Sequence, residues 1–141
     1  MSQAAVAVTQ LSNAEIEEAV RKIVAESLGR KLDDVRLDSV LMDDLGAESL
    51  DFLDIVFRLE RDFSIEITRG EMERASRGDM TQDEFAPGGV ISEAGLARLR
   101  ELMPEARDRI KPGLRPSTIL TLFSVQTFAN MVIGKRDGRT V

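Results

Sequence analysis

Apolar residues recur at helical spacing in three stretches of the chain. Ile16, Val20, Ile23, Val24, Ser27 and Leu28 fall on one face of a first helix. Ser12-Asn13-Ala14-Glu15 ahead of them is a capping box, and Gly29 behind them is a stop. Leu50, Leu53, Val56, Phe57 and Leu59 form the apolar stripe of a second helix, running from Ser49 to about Asp62, with Ser49 as its N-cap. Phe52 either widens that apolar surface or is exposed. Val125, Phe128, Ala129 and Val132 predict the buried face of a last helix from Ser124 to about Ile133, stopped by Gly134.

The connections carry their own pattern. Residues 30–47 form a long link with spaced apolar positions, Leu32, Val35, Leu37, Val40, Leu41 and Leu45, so it should pack across the domain. Ser64 to Ile67 alternates but has no partner strand, which predicts an extended link. Thr68-Arg69-Gly70-Glu71 resembles a further capping box, opening a short helix that ends near Gly78. Pro87-Gly88-Gly89 is a break. Ser92 caps an expected helix over Glu93 to Met103, with Leu96, Leu99 and Leu102 or Met103 on one face. Lys135 to Val141 reads as a frayed basic tail.

Composition narrows the chemistry. The chain has 141 residues, which suits one domain, and its 4% aromatic content is all phenylalanine. That favours an all-α core over a β-sandwich. It has no cysteine and no histidine. Disulfides, thiolate nucleophiles and a Ser-His-Asp triad are therefore impossible within the chain. No apolar run approaches membrane length, and a positive leader is lacking, so the expectation is a cytoplasmic protein without a membrane span. Charge is uneven. Residues 12–68 hold 15 acids and 7 bases, whereas residues 69–141 hold 10 acids and 12 bases. The acidic half would repel nucleic acid and attract a basic protein surface. Acidity alone also serves plain solubility.

The most informative stretch is Asp43-Asp44-Leu45-Gly46-Ala47-Glu48-Ser49-Leu50. It sets one hydroxyl at the mouth of an acidic helix, in a chain with no base to activate it. Such a serine is a poor catalyst and a good attachment point. Gly46 permits a tight backbone, and Leu45 and Leu50 would anchor the turn from both sides. A helix N-terminus favours a phosphate ester there. The plainer alternative is a simple N-cap.

Asp44-Leu45-Gly46-Ala47-Glu48-Ser49-Leu50, with Asp51-Phe52-Leu53-Asp54-Ile55-Val56-Phe57-Arg58-Leu59-Glu60 behind it, resembles the acyl carrier protein family. The resemblance covers about residues 12–68. It returns at about 117–134, where Leu122-Phe123-Ser124-Val125-Gln126-Thr127-Phe128 is similar to that family's closing helix. It implies a bundle of three main helices and one short one, and 4′-phosphopantetheine attached covalently to Ser49 from coenzyme A by a separate phosphopantetheinyl transferase. Acyl groups would ride on the arm as thioesters, for fatty-acid, polyketide or related lipid synthesis. Asp43, Asp44, Glu48, Asp51, Asp54 and Glu60 would dock acyl synthases and transferases with basic patches. The carrier would be a monomer and not itself an enzyme.

Two departures stand out. Glu48 replaces the family's usual aspartate before the serine, which bears on the choice of transferase. In addition, 53 residues separate Ile67 from Thr121. The expected organisation is one domain over 1–141, with a core of 12–68 and 117–134, a helical insertion at 69–116 and a tail at 135–141. The insertion would either cover one side of the bundle or form a lid or specificity surface over the acyl cavity. Arg77-Gly78-Asp79 matches an adhesion tripeptide by chance. Two other functions share these residues: an aminoacyl or peptidyl carrier, and an unmodified adaptor keeping the fold. A hydrolase using Ser49 is disfavoured by the missing base.

Overall fold

A computed structural model of the chain describes residues 8–67 and 80–138. The described residues are helical and contain no strand, apart from an isolated antiparallel bridge between Val40 and Ser124. The long helices are α1 (Asn13–Leu28), α3 (Ser49–Phe63), α5 (Glu93–Leu102) and α6 (Val125–Arg136), with short helices α2 (Leu41–Leu45) and α4 (Gln82–Phe85). Short 3-10 segments of three to seven residues fill most of the remaining links. This is an all-α bundle, as the acyl-carrier resemblance implies.

Helix α1 starts and stops where local chemistry requires. The Glu15 N–H donates to Ser12 Oγ at 3.1 Å, and Glu15 Oε1 accepts the Ser12 N–H at 2.8 Å. Gly29 closes the helix at φ 65°, a left-handed conformation that glycine adopts without strain. Ile16, Val20, Ile23 and Val24 are buried, and α1 packs against both α3 and α6. Each such side chain contributes roughly 1.5–3 kcal/mol by leaving water.

The 30–47 link does pack across the bundle. Val35, Val40, Leu41 and Leu45 are buried. Arg21 of α1 pins it, with Nε donating to the Val35 carbonyl at 2.6 Å and Nη2 to Leu32 at 3.1 Å. Its far end is stitched to the start of α6: Leu41 N–H donates to Phe123, Val125 N–H to Ser39 and Gln126 N–H to Leu37. The link also contains α2, which its apolar spacing did not reveal. Residues 65–67 form no regular element, and Ser64, expected within an extended link, instead closes α3 in the left-handed conformation at φ 55°.

Three assignments are corrected. Gly134 does not stop α6, which continues to Arg136; glycine ends a helix when it turns left-handed, and Gly134 stays helical. Lys135 and Arg136 are thus helical, and Arg136 Nη1 donates to the Leu11 carbonyl at 3.1 Å. The apolar stripe of α3 is also different. Its buried face is Phe52, Ile55, Leu59 and Phe63, while Leu50, Leu53 and Phe57 are 75%, 56% and 65% exposed. Phe52 is buried against Phe123 and Phe128, with ring centroids 5.9 Å from each. That aromatic cluster decides which stripe of α3 turns inward. The expected capping box at Thr68–Glu71, its short helix and the Arg77-Gly78-Asp79 tripeptide lie outside the described residues.

Beyond the break, Ser92 caps α5 by accepting the Gly95 N–H at 3.0 Å. Leu96, Leu99, Met103, Ala106 and Ile110 are buried in the same apolar cluster as Ile16, Ile55 and Phe128. Glu105 ties this segment to α6: its carboxylate accepts from Thr127 Oγ1 at 2.7 Å and from Asn130 Nδ2 at 3.2 Å. These contacts fasten the 80–116 segment to the rest of the bundle. A capping box between Thr81 and Glu84 opens α4.

Candidate functional site

The site begins at the end of α2. Gly46 closes that helix at φ 70°, and its N–H donates back to Leu41 and Met42. A residue with a Cβ would be strained there. Ala47 N–H donates to the Leu41 carbonyl at 2.9 Å, and Ala47 and Leu45 are buried. Three residues therefore separate α2 from α3, and the inner side of that turn is anchored. The outer side is not: Leu50 is exposed and anchors nothing.

Ser49 is the first residue of α3, not its N-cap. The cap is Glu48, whose backbone is extended at φ −113° and ψ 169°. Asp51 Oδ2 accepts the Glu48 N–H at 2.7 Å. Because the capping task falls on Glu48 and Asp51, the Ser49 hydroxyl is spared it. Ser49 is exposed and its hydroxyl has no hydrogen-bond partner among the described residues. The N–H groups of Ser49 and Leu50 are likewise unpaired among them. Orphan donors of this kind are normal at a helix start and suit an anionic oxygen. A phosphate ester on Ser49 therefore fits: the residue is exposed, and the adjacent backbone donors are unpaired among the described residues.

The six acids expected to ring the site are not equivalent. Asp44 Oδ2 accepts the Val40 N–H at 2.8 Å, within the turn opening α2. Glu60 Oε2 accepts the Ile67 N–H at 2.8 Å and holds the link after α3. Asp54 Oδ2 accepts from Ser27 Oγ at 2.6 Å and from Arg58 Nε at 2.8 Å. The Ser27 hydrogen bond, and then that from Arg58, holds the Asp54 carboxyl below the usual aspartate range. Asp43 and Glu48 are exposed, and their side chains have no partner among the described residues. Thus Asp44, Asp51, Asp54 and Glu60 also do structural work, while Asp43 and Glu48 are the unengaged charges. The exposed Leu50, Leu53 and Phe57 add an apolar surface on the helix that starts at Ser49, where a core stripe was expected. Large exposed apolar side chains beside charges are typical of a contact surface.

No helix among the described residues is long and apolar enough to cross a membrane. No solved structure matches the chain significantly. Residues 18–81 match the phosphopantetheine attachment site family, a span that includes α2, α3 and the Ser49 turn. Residues 18–81 are therefore a phosphopantetheine attachment domain, the site at which that prosthetic group is held covalently, and this segment is consistent with the acyl carrier protein family.

Proposed function

We propose that Ser49 is the attachment residue, and that the protein carries acyl intermediates as thioesters for fatty-acid, polyketide or related specialised lipid synthesis. The observation that carries this is the exposed, unpartnered Ser49 hydroxyl in the first turn of α3, inside the matched segment. The bound arm supplies a thiol for thioester exchange. The chain's own part is to present Ser49 and to dock the enzymes that load and unload it. With no histidine or cysteine in the chain, that chemistry belongs to partners.

Partner enzymes would be a phosphopantetheinyl transferase and acyl synthases or transferases with basic patches. Asp43, Asp44, Glu48, Asp51, Asp54 and Glu60 supply the attracting charge. Leu50, Leu53 and Phe57 supply apolar contact area once the partner arrives. Steering of this kind is fast and weakens with salt. The protein would act in the cytoplasm as a monomer, with residues 69–116 an insertion that covers one side of the bundle.

The test is incubation with coenzyme A and a broad-specificity phosphopantetheinyl transferase, followed by intact mass. A phosphopantetheine mass gain that disappears in Ser49→Ala supports the assignment. A gain that persists in Ser49→Ala moves attachment elsewhere, and no gain with several transferases favours an adaptor. Loading assays with acyl and aminoacyl donors then separate the two cargo classes.

A further inference from the structure

We propose that Arg30 holds the phosphate of the group attached at Ser49, a positioning role that rests on the assignment of Ser49 above. The problem it solves is electrostatic. A phosphodiester on Ser49 would sit among Asp43, Asp44, Glu48 and Asp51, and like charges at such spacing repel. The bases nearby on α3 are already committed. Arg58 faces Asp54 at 2.8 Å and Glu26 at 3.7 Å, and Arg61 faces Asp62 at 2.8 Å.

Arg30 is placed differently. Its Nη2 donates to the Leu45 carbonyl at 2.9 Å, and it is the basic side chain that hydrogen-bonds to the 41–49 segment among the described residues. The ideal Cβ position of Gly46 lies 3.9 Å from the same nitrogen. Its Nε and Nη1 have no partner among the described residues, and the residue is exposed.

The register of α1 against α3 puts Arg30 at the correct end of the bundle. The two helices run antiparallel, since Glu26 meets Arg58 and the next residue, Ser27, meets Asp54. Ser49 lies about 7.5 Å further along α3 from Asp54, at 1.5 Å per residue, and Arg30 follows the left-handed Gly29 that closes α1 just beyond Ser27. Both therefore lie at the same end of the α1–α3 pair, and Arg30 hydrogen-bonds to Leu45 and lies beside Gly46, which precede Ser49 by four and three residues. A planar guanidinium with one nitrogen anchored on a carbonyl keeps its other N–H groups available for phosphate oxygens.

The competing role is plain capping: Leu45 presents one of the unpaired carbonyls at the end of α2, and Arg30 simply satisfies it. Capping needs only Nη2 and is the same whether or not Ser49 is modified. The experiment therefore compares the unmodified and modified full-length protein. Attachment is first verified by the mass gain; if Ser49 takes no group, the site assignment fails, and the role of Arg30 falls with it.

With attachment verified, the Arg30 Nε–H resonance in ¹⁵N-labelled protein should shift between the two forms. The ³¹P resonance of the modified protein should move in Arg30→Gln and less in Arg30→Lys. The melting temperature lost on modification should be about 3 °C greater in Arg30→Gln than in wild type. An Arg30 Nε–H resonance that is identical in both forms, or a Gln variant destabilised equally with and without modification, would overturn the proposal. The wild-type resonance comparison stands even if the Gln variant fails to fold.

Discussion

The Ser27 hydroxyl of α1 donates to the Asp54 carboxylate of α3 at 2.6 Å, and Arg58 grips the same oxygen from one turn further along. An acid on the face expected to meet partners is thus also a bolt between two helices. The Asp54 carboxyl is held below its ordinary value of 3.8, first by Ser27 and then by Arg58. A carboxyl depressed in the folded state contributes stability above its unfolded value and loses it as pH falls through the folded value. Ser27→Ala should raise the Asp54 titration point toward 3.8. Since Asp54 is half exposed, the stability cost at pH 7 should stay within about 1 kcal/mol and shrink below about pH 3. Carboxyl NMR titration with urea unfolding at both pH values checks this. An unchanged Asp54 titration in Ser27→Ala would show that the hydroxyl is not its main partner.

The same bond separates docking from folding. Asp43→Lys and Glu48→Lys remove charges with no internal partner among the described residues. Each should slow transfer from a basic partner enzyme by roughly tenfold at low salt, with little loss of stability. Asp54→Lys should lower both, because it also breaks the contact with Ser27. Initial transfer rates across a salt series, read beside melting temperatures, distinguish the two classes. Wild-type rates in Asp43→Lys with Glu48→Lys at low salt would remove electrostatic steering from the account.

Leu53 and Phe57 contribute nothing to the core, so polar replacements should be cheap. Leu53→Ser with Phe57→Ser should change stability by no more than about 0.5 kcal/mol per site, as for ordinary surface positions. Transfer from the partner should nevertheless fall, and the fall should persist at high salt, where steering by the acids is screened. A loss of several kcal/mol on unfolding would mean that these side chains pack inward in solution.

What the residue pattern disclosed was local. The box at Ser12–Glu15 and the cap at Ser92 are short-range hydrogen bonds between neighbours, so they can be found in a string of letters. The same logic would have found α4 through Thr81 and Glu84, although four residues are too few to show a period. Periodicity could not decide which stripe of α3 turns inward. Leu50, Leu53 and Phe57 are spaced as well as Phe52, Ile55 and Leu59, and the choice rests on Phe123 and Phe128, about seventy residues away. The roles of Asp54 and Arg30 were hidden for the same reason: Ser27 and Leu45 meet them only once α1 and α3 pack. Ser49 was expected as the N-cap of α3 and is instead its first residue, because a serine at a helix start is ordinarily its cap.

Glu48 itself offers a stability test. It occupies the N-cap of α3, yet its side chain makes no capping hydrogen bond. Aspartate is one methylene shorter and caps well at this position. Glu48→Asp should therefore stabilise the protein by roughly 0.5–1 kcal/mol without altering local charge. Denaturant midpoints measure it. A loss of stability would indicate that the longer side chain has a packing role at the mouth of α3.

Two glycines in helices make a matched pair with opposite expected signs. In α5, a Cβ on Gly95 would lie 2.6 Å from the Phe85 carbonyl oxygen, 2.8 Å from Ile91 Cγ2 and 3.0 Å from Phe85 Cδ1. The nearest atom is backbone and cannot swing aside, so α4 and α5 would have to separate. In α6, a Cβ on Gly134 would meet nothing within 4 Å. Alanine is the better helix former at both sites by about 1 kcal/mol. Gly134→Ala should gain most of that. Gly95→Ala should instead cost about 1–3 kcal/mol, as overpacking outweighs propensity. Chemical unfolding of both variants reads the difference directly. Equal stabilisation by the two substitutions would mean that the 80–116 segment does not pack as tightly on itself as the Phe85–Gly95 contact requires.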